Sequence, residues 1–234
     1  MNDLAKTKQS SLSVMINIII PTLLLVFSKK WSDFTPITIL IVALMFPLTF
    51  MIVEFIKTRH YSLMSLLGFV SVLLTGGIAL LSLPPKWIAV KEALIPFIIG
   101  CGVMVTVKSN KPAICFVVEL IFDIEKIKNE LLIKKCSDKF QPILKKATVL
   151  LSLSFLLSTL LNFMLAFVVV KSAPGTDAFN KELGLLTVLS YPVIVIPSML
   201  MMLLSVWYFI SKIKSLTQLT FQELVNDNLK EKTA

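Results

Sequence analysis

The chain alternates apolar runs with short charged breaks. The runs cover residues 12–27, 36–56, 62–83, 87–107, 147–170 and 183–210. Apolar stretches of about 17–25 residues are long enough to cross the ~30 Å hydrocarbon core as helices. In lipid each backbone donor and acceptor must be met inside its own segment, so helix is the structure expected of every run. The pattern therefore predicts an all-α polytopic protein with six transmembrane helices, forming one membrane domain over residues 1–234. The first run has basic flanks, Lys6 and Lys8 before it and Lys29 and Lys30 after it. It ends without a small-x-small cleavage site and is read as an uncleaved span rather than a signal peptide.

The long break between the fourth and fifth runs has its own periodicity. Over residues 113–135, Val117, Leu120, Ile121, Ile124, Ile127 and Leu131 recur at helical spacing, which predicts an amphipathic helix. Glu119, Asp123, Lys126 and Glu130 form the opposite stripe. Three placements satisfy this pattern: a helix lying on the membrane surface, a docking face for a partner protein, or a helix that dips into the bundle and buries Glu119. The acidic members of the stripe weigh against the first, since a membrane-surface helix favours Lys and Arg on its polar face. Residues 211–234 carry a weaker apolar pattern and read as a charged cytoplasmic tail.

Composition strengthens the membrane assignment. Hydrophobic residues make up 56% of the 234 residues and charged residues 16%, with a mean hydropathy of +0.86. Soluble domains carry about 25% charged residues, and disordered chains are more polar still, so both classes are excluded. The formal net charge is +9. The basic residues sit where topology needs them. The N-terminus, the second and fourth loops and the tail hold 17 of the 23 Lys and Arg residues, nine of them between Lys108 and Lys146. The positive-inside rule then puts both termini in the cytoplasm. This placement accounts for the charge without nucleic acid as a partner. Trp31, Trp87 and Trp207-Tyr208 fall where interfacial aromatic belts are expected.

Candidate chemistry is sparse. Cys101, Cys115 and Cys136 match no zinc or redox spacing, and His60 is the single histidine. No phosphate-binding glycine loop, nucleophile elbow or paired intramembrane acid is present, so the chain reads as no enzyme and as needing no cofactor or metal. Glu54 sits near Lys57 and Arg59 as a helix-end ion pair. Lys91 and Glu92 sit at the start of the fourth run, where both are expected to snorkel to the interface. Asn162 and Asn17 lie inside apolar runs, where asparagine serves as interhelical glue or as a ligand contact. Pro47, Pro96, Pro192 and Pro197 interrupt helical hydrogen bonding. Gly76 and Gly77 permit close helix approach. Asn162, Gly76, Gly77, Pro96 and Pro192 are the residues that a small-molecule or lipid transporter would use for packing or for a site between kinked helices.

The order of these features resembles the intracellular septation protein A family. The resemblance rests on Lys57-Thr58-Arg59-His60 followed by Leu63-Met64-Ser65-Leu66-Leu67, and on the segment from Leu74 through Gly76-Gly77 to Leu81. Asn162 within Leu160–Phe167 and Phe179-Asn180-Lys181 before Gly184 extend it. The longer charged middle loop and extended N-terminus mark a divergent paralogue. The resemblance implies a bacterial inner-membrane protein of the cell envelope. Such a protein would contact membrane lipids and bind other membrane proteins of envelope synthesis or division without catalysis. Glu119, Asp123, Lys126 and Glu130 are the contact surface expected under that reading.

Overall fold

The computed structural model describes residues 19–27, 34–58 and 63–224. Residues 12–18 of the first expected span, Asn17, Trp31, Arg59, His60, the side chain of Glu54 and the tail beyond residue 224 lie outside the described residues. Within them the elements are helices joined by turns, and no strand occurs. In chain order the α-helices are α1 (Ile20–Val26), α2 (Pro36–Thr58), α3 (Leu63–Leu80), α4 (Lys86–Val105), α5 (Ile114–Val118), α6 (Ile124–Ile133), α7 (Phe140–Val169), α8 (Asp177–Ser190), α9 (Ile196–Thr217) and α10 (Phe221–Leu224). A π-helical turn, Tyr191–Val195, joins α8 to α9.

Among the described residues, three helical runs are long and apolar enough to cross a membrane: Lys86–Lys108, Ser137–Val169 and Asp177–Thr217. Pro36–Thr49 is a shorter apolar stretch of α2. Large apolar side chains point outward along the three runs, among them Phe97, Ile98, Phe163, Phe167, Leu200 and Leu204. This is the inverse of a soluble surface and suits a lipid-facing one. The expected bounds shift in two places. α7 begins at Phe140 rather than at residue 147. Its first turns are amphipathic, with Lys145 and Lys146 exposed while Ile143, Leu144 and Ala147 are buried, so the lysines ride on the helix instead of preceding it. The last run begins at Asp177 rather than at residue 183, because the Thr176 hydroxyl accepts the Phe179 N–H and caps the helix.

The chain packs as two compact units, Met1–Ile95 with Thr159–Ile194, and Pro96–Ser158 with Val195–Ala234. In the first, Leu25, Leu40, Ala43, Ile78, Ile88, Phe179 and Leu183 form the core. α1 packs on α8 and α2, and α2 on α3. Gly184 permits the α1–α8 contact, since a Cβ there would stand 2.6 Å from Val26 Cγ2 and 3.2 Å from the Val26 nitrogen. Buried Asn180 donates through Nδ2 to the Pro36 carbonyl at 2.7 Å and ties α8 to the start of α2. The Glu182 carboxylate accepts the backbone N–H groups of Lys171 and Ser172 and the Ser172 hydroxyl, which fixes the turn entering α8.

In the second unit the core is Ile114, Val118, Ile127, Leu131, Leu144, Phe209, Ile213 and Leu224 with their neighbours. α6 packs against α9. Hydroxyl-to-carbonyl bonds lock the helices: Ser205 donates to Ala147 at 2.7 Å and Ser152 to Gly100 at 2.9 Å. The chain reverses at Gln218, whose left-handed φ of 57° caps α9.

The expected single amphipathic helix over residues 113–135 is two helices, α5 and α6, broken between Val118 and Ile124. The break is made by Asp123, whose carboxylate accepts the Lys126 N–H at 3.0 Å and starts α6 afresh. The Asp123 N–H donates to the Leu224 carbonyl, and Phe122 stacks edge-on against Phe221 at 5.6 Å. Part of the apolar stripe consequently faces inward against this chain's own helices: Ile124, Ile127 and Leu131 are buried, whereas Leu120 and Ile121 are exposed.

Candidate functional site

The first unit contains a cavity of about 340 Å³ with an ion pair in its wall. Lys91 and Glu92 stand one and a half turns into α4, and Lys91 Nζ lies 2.6 Å from Glu92 Oε1. The Lys91 side chain is only 7% exposed and that of Glu92 30%. This corrects the expectation that both snorkel. The Lys91 ammonium turns toward α3, where it donates to Thr75 Oγ1 at 3.1 Å and to Ser71 Oγ at 3.3 Å. Those two bonds and the Glu92 contact occupy all three ammonium donors, which is how a lysine is held at this depth without water.

The rest of the wall comes from α1, α2 and α8. Pro21, Thr22 and Leu25 line it from α1; Leu40, Ala43 and Pro47 from α2; Thr187 and Ser190 from α8, with Tyr191 beyond. Pro47 has no N–H to give the Ala43 carbonyl, so one lining residue keeps a backbone acceptor outside the helical ladder. Three of the lining hydroxyls have already spent their protons: Thr75 donates to the Ser71 carbonyl, Thr187 to Leu183 and Ser190 to Leu186. Their lone pairs remain, as does the second oxygen of Glu92, for which no hydrogen-bond partner occurs among the described residues. The cavity thus offers acceptors and a carboxylate, with the Thr22 and Tyr191 hydroxyls as side-chain donors not engaged among the described residues. Such a lining complements a group rich in N–H donors and carrying positive charge.

None of the residues expected to matter for transport lines this cavity. Gly76 follows Thr75 on α3, and its Cβ position meets only Leu44 at 3.5 Å; Gly77 faces open space. Pro96 lies further along α4, and Pro192 falls in the π-turn just after Tyr191. A proline there cannot donate to the Val188 carbonyl, and the wider π-turn accommodates the loss. Asn162 is half-buried on α7. The lining itself is marked in sequence by an adjacent Lys-Glu pair inside an apolar run and by hydroxyls spaced along α3 and α8. Periodicity alone does not reveal it, because it takes the fold to bring Lys91 to Thr75.

The expected contact stripe is divided by the helix break. Glu119 ends α5, Asp123 is committed to the α6 cap, and Lys126 and Glu130 lie one turn apart on α6. They do not form one continuous helical face. Among the described residues, no cluster of three His, Cys, Asp or Glu side chains stands close enough to hold a metal ion. No protein-family model, curated protein or solved structure matches the chain.

Proposed function

We propose that the chain is a six-span membrane protein that binds a small amine-bearing solute in the first-unit cavity and carries it across the bilayer. The observation that supports this most is the Lys91–Glu92 pair, set within an apolar helix on the wall of a cavity where Thr75, Thr187 and Ser190 already donate to backbone carbonyls. Ionisable groups inside a membrane are costly, and ion and solute pathways are where they persist. Glu92 holds the ammonium or guanidinium of the solute, with Thr187 and Ser190 accepting its remaining protons. Lys91 holds Glu92 in position in the empty state. Pro47 and the π-turn at Pro192 mark the places where α2 and the α8–α9 run flex, as broken helices do around transport sites. The charge asymmetry of the loops supports cytoplasmic termini, and helices of 23 and 18 residues at α2 and α3 support two further spans.

The test is current recorded from proteoliposomes on a solid-supported membrane, with ethylammonium, putrescine and guanidinium as probes and acetate as the anionic control. Currents with the cationic probes, lost in Glu92→Gln and retained in Gly77→Ala, are expected. Absence of cation-evoked current, or current of equal size in Glu92→Gln, overturns the reading.

A further inference from the structure

We infer that the second unit holds the phosphate group of an anionic phospholipid in a basic cavity of about 380 Å³ formed by Lys139, Lys146 and Lys212. This site goes beyond the solute cavity, lies in the other unit and does not depend on it. Lys139 closes the turn that leads into α7, and Lys146 follows on the first turns of that helix. Lys212 and Ser215 stand on the last two turns of α9. All three lysines are exposed, and among the described residues none of them is ion-paired. Asp138 is the one acid in the lining, so the cavity carries a surplus of two positive charges. Three cations converging on one hollow repel one another, and a bound anion removes that repulsion. Tyr208 and Ser215 add hydroxyl groups at the same rim.

The helix ends favour the same occupant. The N-terminus of α7, a helix of 30 residues, brings the positive end of its dipole to Lys139, Pro142 and Ile143 of the lining. The C-terminus of α9 would oppose an anion, but Lys134 donates through Nζ to the Thr217 carbonyl and places a positive charge at that end. Depth identifies the source of the phosphate. The cavity sits at the ends of two runs long and apolar enough to cross a membrane, with exposed Trp207 beside Tyr208 as an interfacial aromatic. Its remaining walls are Pro142, Ile143 and Leu216. An apolar wall beneath a ring of lysines suits glycerol and the first acyl carbons under a headgroup, whereas a free phosphate uses the lysines alone. Basic pockets between membrane helices bind anionic headgroups in this manner.

The experiment is native mass spectrometry of the full chain released from nanodiscs of phosphatidylcholine mixed with phosphatidylglycerol. The wild type is compared with a Lys139→Gln/Lys146→Gln/Lys212→Gln variant and with a control, Lys108→Gln/Lys111→Gln/Lys128→Gln, that removes the same charge from exposed positions outside the cavity. A lysine near an anionic leaflet is worth about fivefold in affinity, so retention of phosphatidylglycerol should fall at least tenfold in the first variant and less than twofold in the control. Equal retention in wild type and cavity variant overturns the proposal, as does an equal loss in the control. Displacement of the lipid by inorganic phosphate, with no preference for phosphatidylglycerol over phosphatidylcholine, assigns the cavity to a soluble phosphate and also overturns it.

Discussion

Placing a single methyl group on Gly184 should destabilise the first unit measurably. The ideal Cβ stands 2.6 Å from Val26 Cγ2, 3.2 Å from the Val26 nitrogen and 3.3 Å from the Thr22 carbonyl oxygen. Carbon contacts are comfortable at about 3.5–4.0 Å, so the first distance is short by roughly 1 Å. Rotating Val26 moves only the methyl, and a valine in a helix has essentially one good rotamer. The two backbone atoms cannot rotate away, so α1 and α8 must part. Leu25, Leu183 and Leu186 lie along the same seam and lose contact with it. Overpacking of this kind costs about 1–3 kcal/mol, against which alanine regains up to about 1 kcal/mol of helix propensity over glycine. Gly77→Ala supplies the propensity gain without the clash, because nothing lies within 4 Å of its Cβ position. Thermal unfolding of the full chain in detergent is the assay. At about 2–4 °C per kcal/mol for a chain of this size, Gly184→Ala should unfold several degrees below the wild type and Gly77→Ala at or above it. Val26→Ala combined with Gly184→Ala should recover part of the loss, a coupling of about 0.5–3 kcal/mol. Equal midpoints for the two glycine variants would refute the close approach of α1 and α8.

Glu92→Gln should destabilise the chain by about 1–3 kcal/mol, less than a fully buried broken pair because Glu92 is 30% exposed; adding Lys91→Met should restore most of the loss, and additive losses in chemical unfolding would contradict the pairing. Asp123→Ala should cost about 1 kcal/mol through the lost α6 cap, while Asp123→Asn should cost a few tenths at most, since asparagine caps as well as aspartate; equal losses would mean that the cap contributes nothing. In a Cys101→Ala background, maleimide should modify half-exposed Cys136 well before buried Cys115. Burial, and after it the charge of Glu119, pushes the Cys115 thiol above its ordinary range. Raising the pH through the usual thiol range should therefore leave Cys115 largely protonated and slow, and rapid labelling of Cys115 at neutral pH would show that α5 is not packed as described.

The membrane character of the chain was legible because it depends on composition and on runs of one residue class, both of which are local. The helices at Lys86–Lys108, Ser137–Val169 and Asp177–Thr217 are those runs, extended where an amphipathic first turn or a threonine cap adds residues that hydropathy assigns to a loop. The break at Asp123 was not legible, although its residue type was. An aspartate four positions after Glu119 fits an exposed stripe as well as it fits a cap, and the choice is made by the Leu224 carbonyl and by Phe221, a hundred residues away. The glycines show the same limit. Gly76-Gly77 looks like a close-packing signal and faces Leu44 at ordinary distance or open space, whereas the isolated Gly184 is the one that lets two helices touch. Lys91 is the clearest case. At the start of an apolar run a lysine has two ways to be satisfied, water at the interface or acceptors inside the protein. The run itself does not distinguish them. Ser71 and Thr75, one turn apart on the preceding helix, supply the inner acceptors. Once they do, Glu92 on the cavity wall is left with one oxygen committed to Lys91 and no partner for the other among the described residues, while Thr75, Thr187 and Ser190 already donate to backbone carbonyls; the proposed cation site rests on that asymmetry.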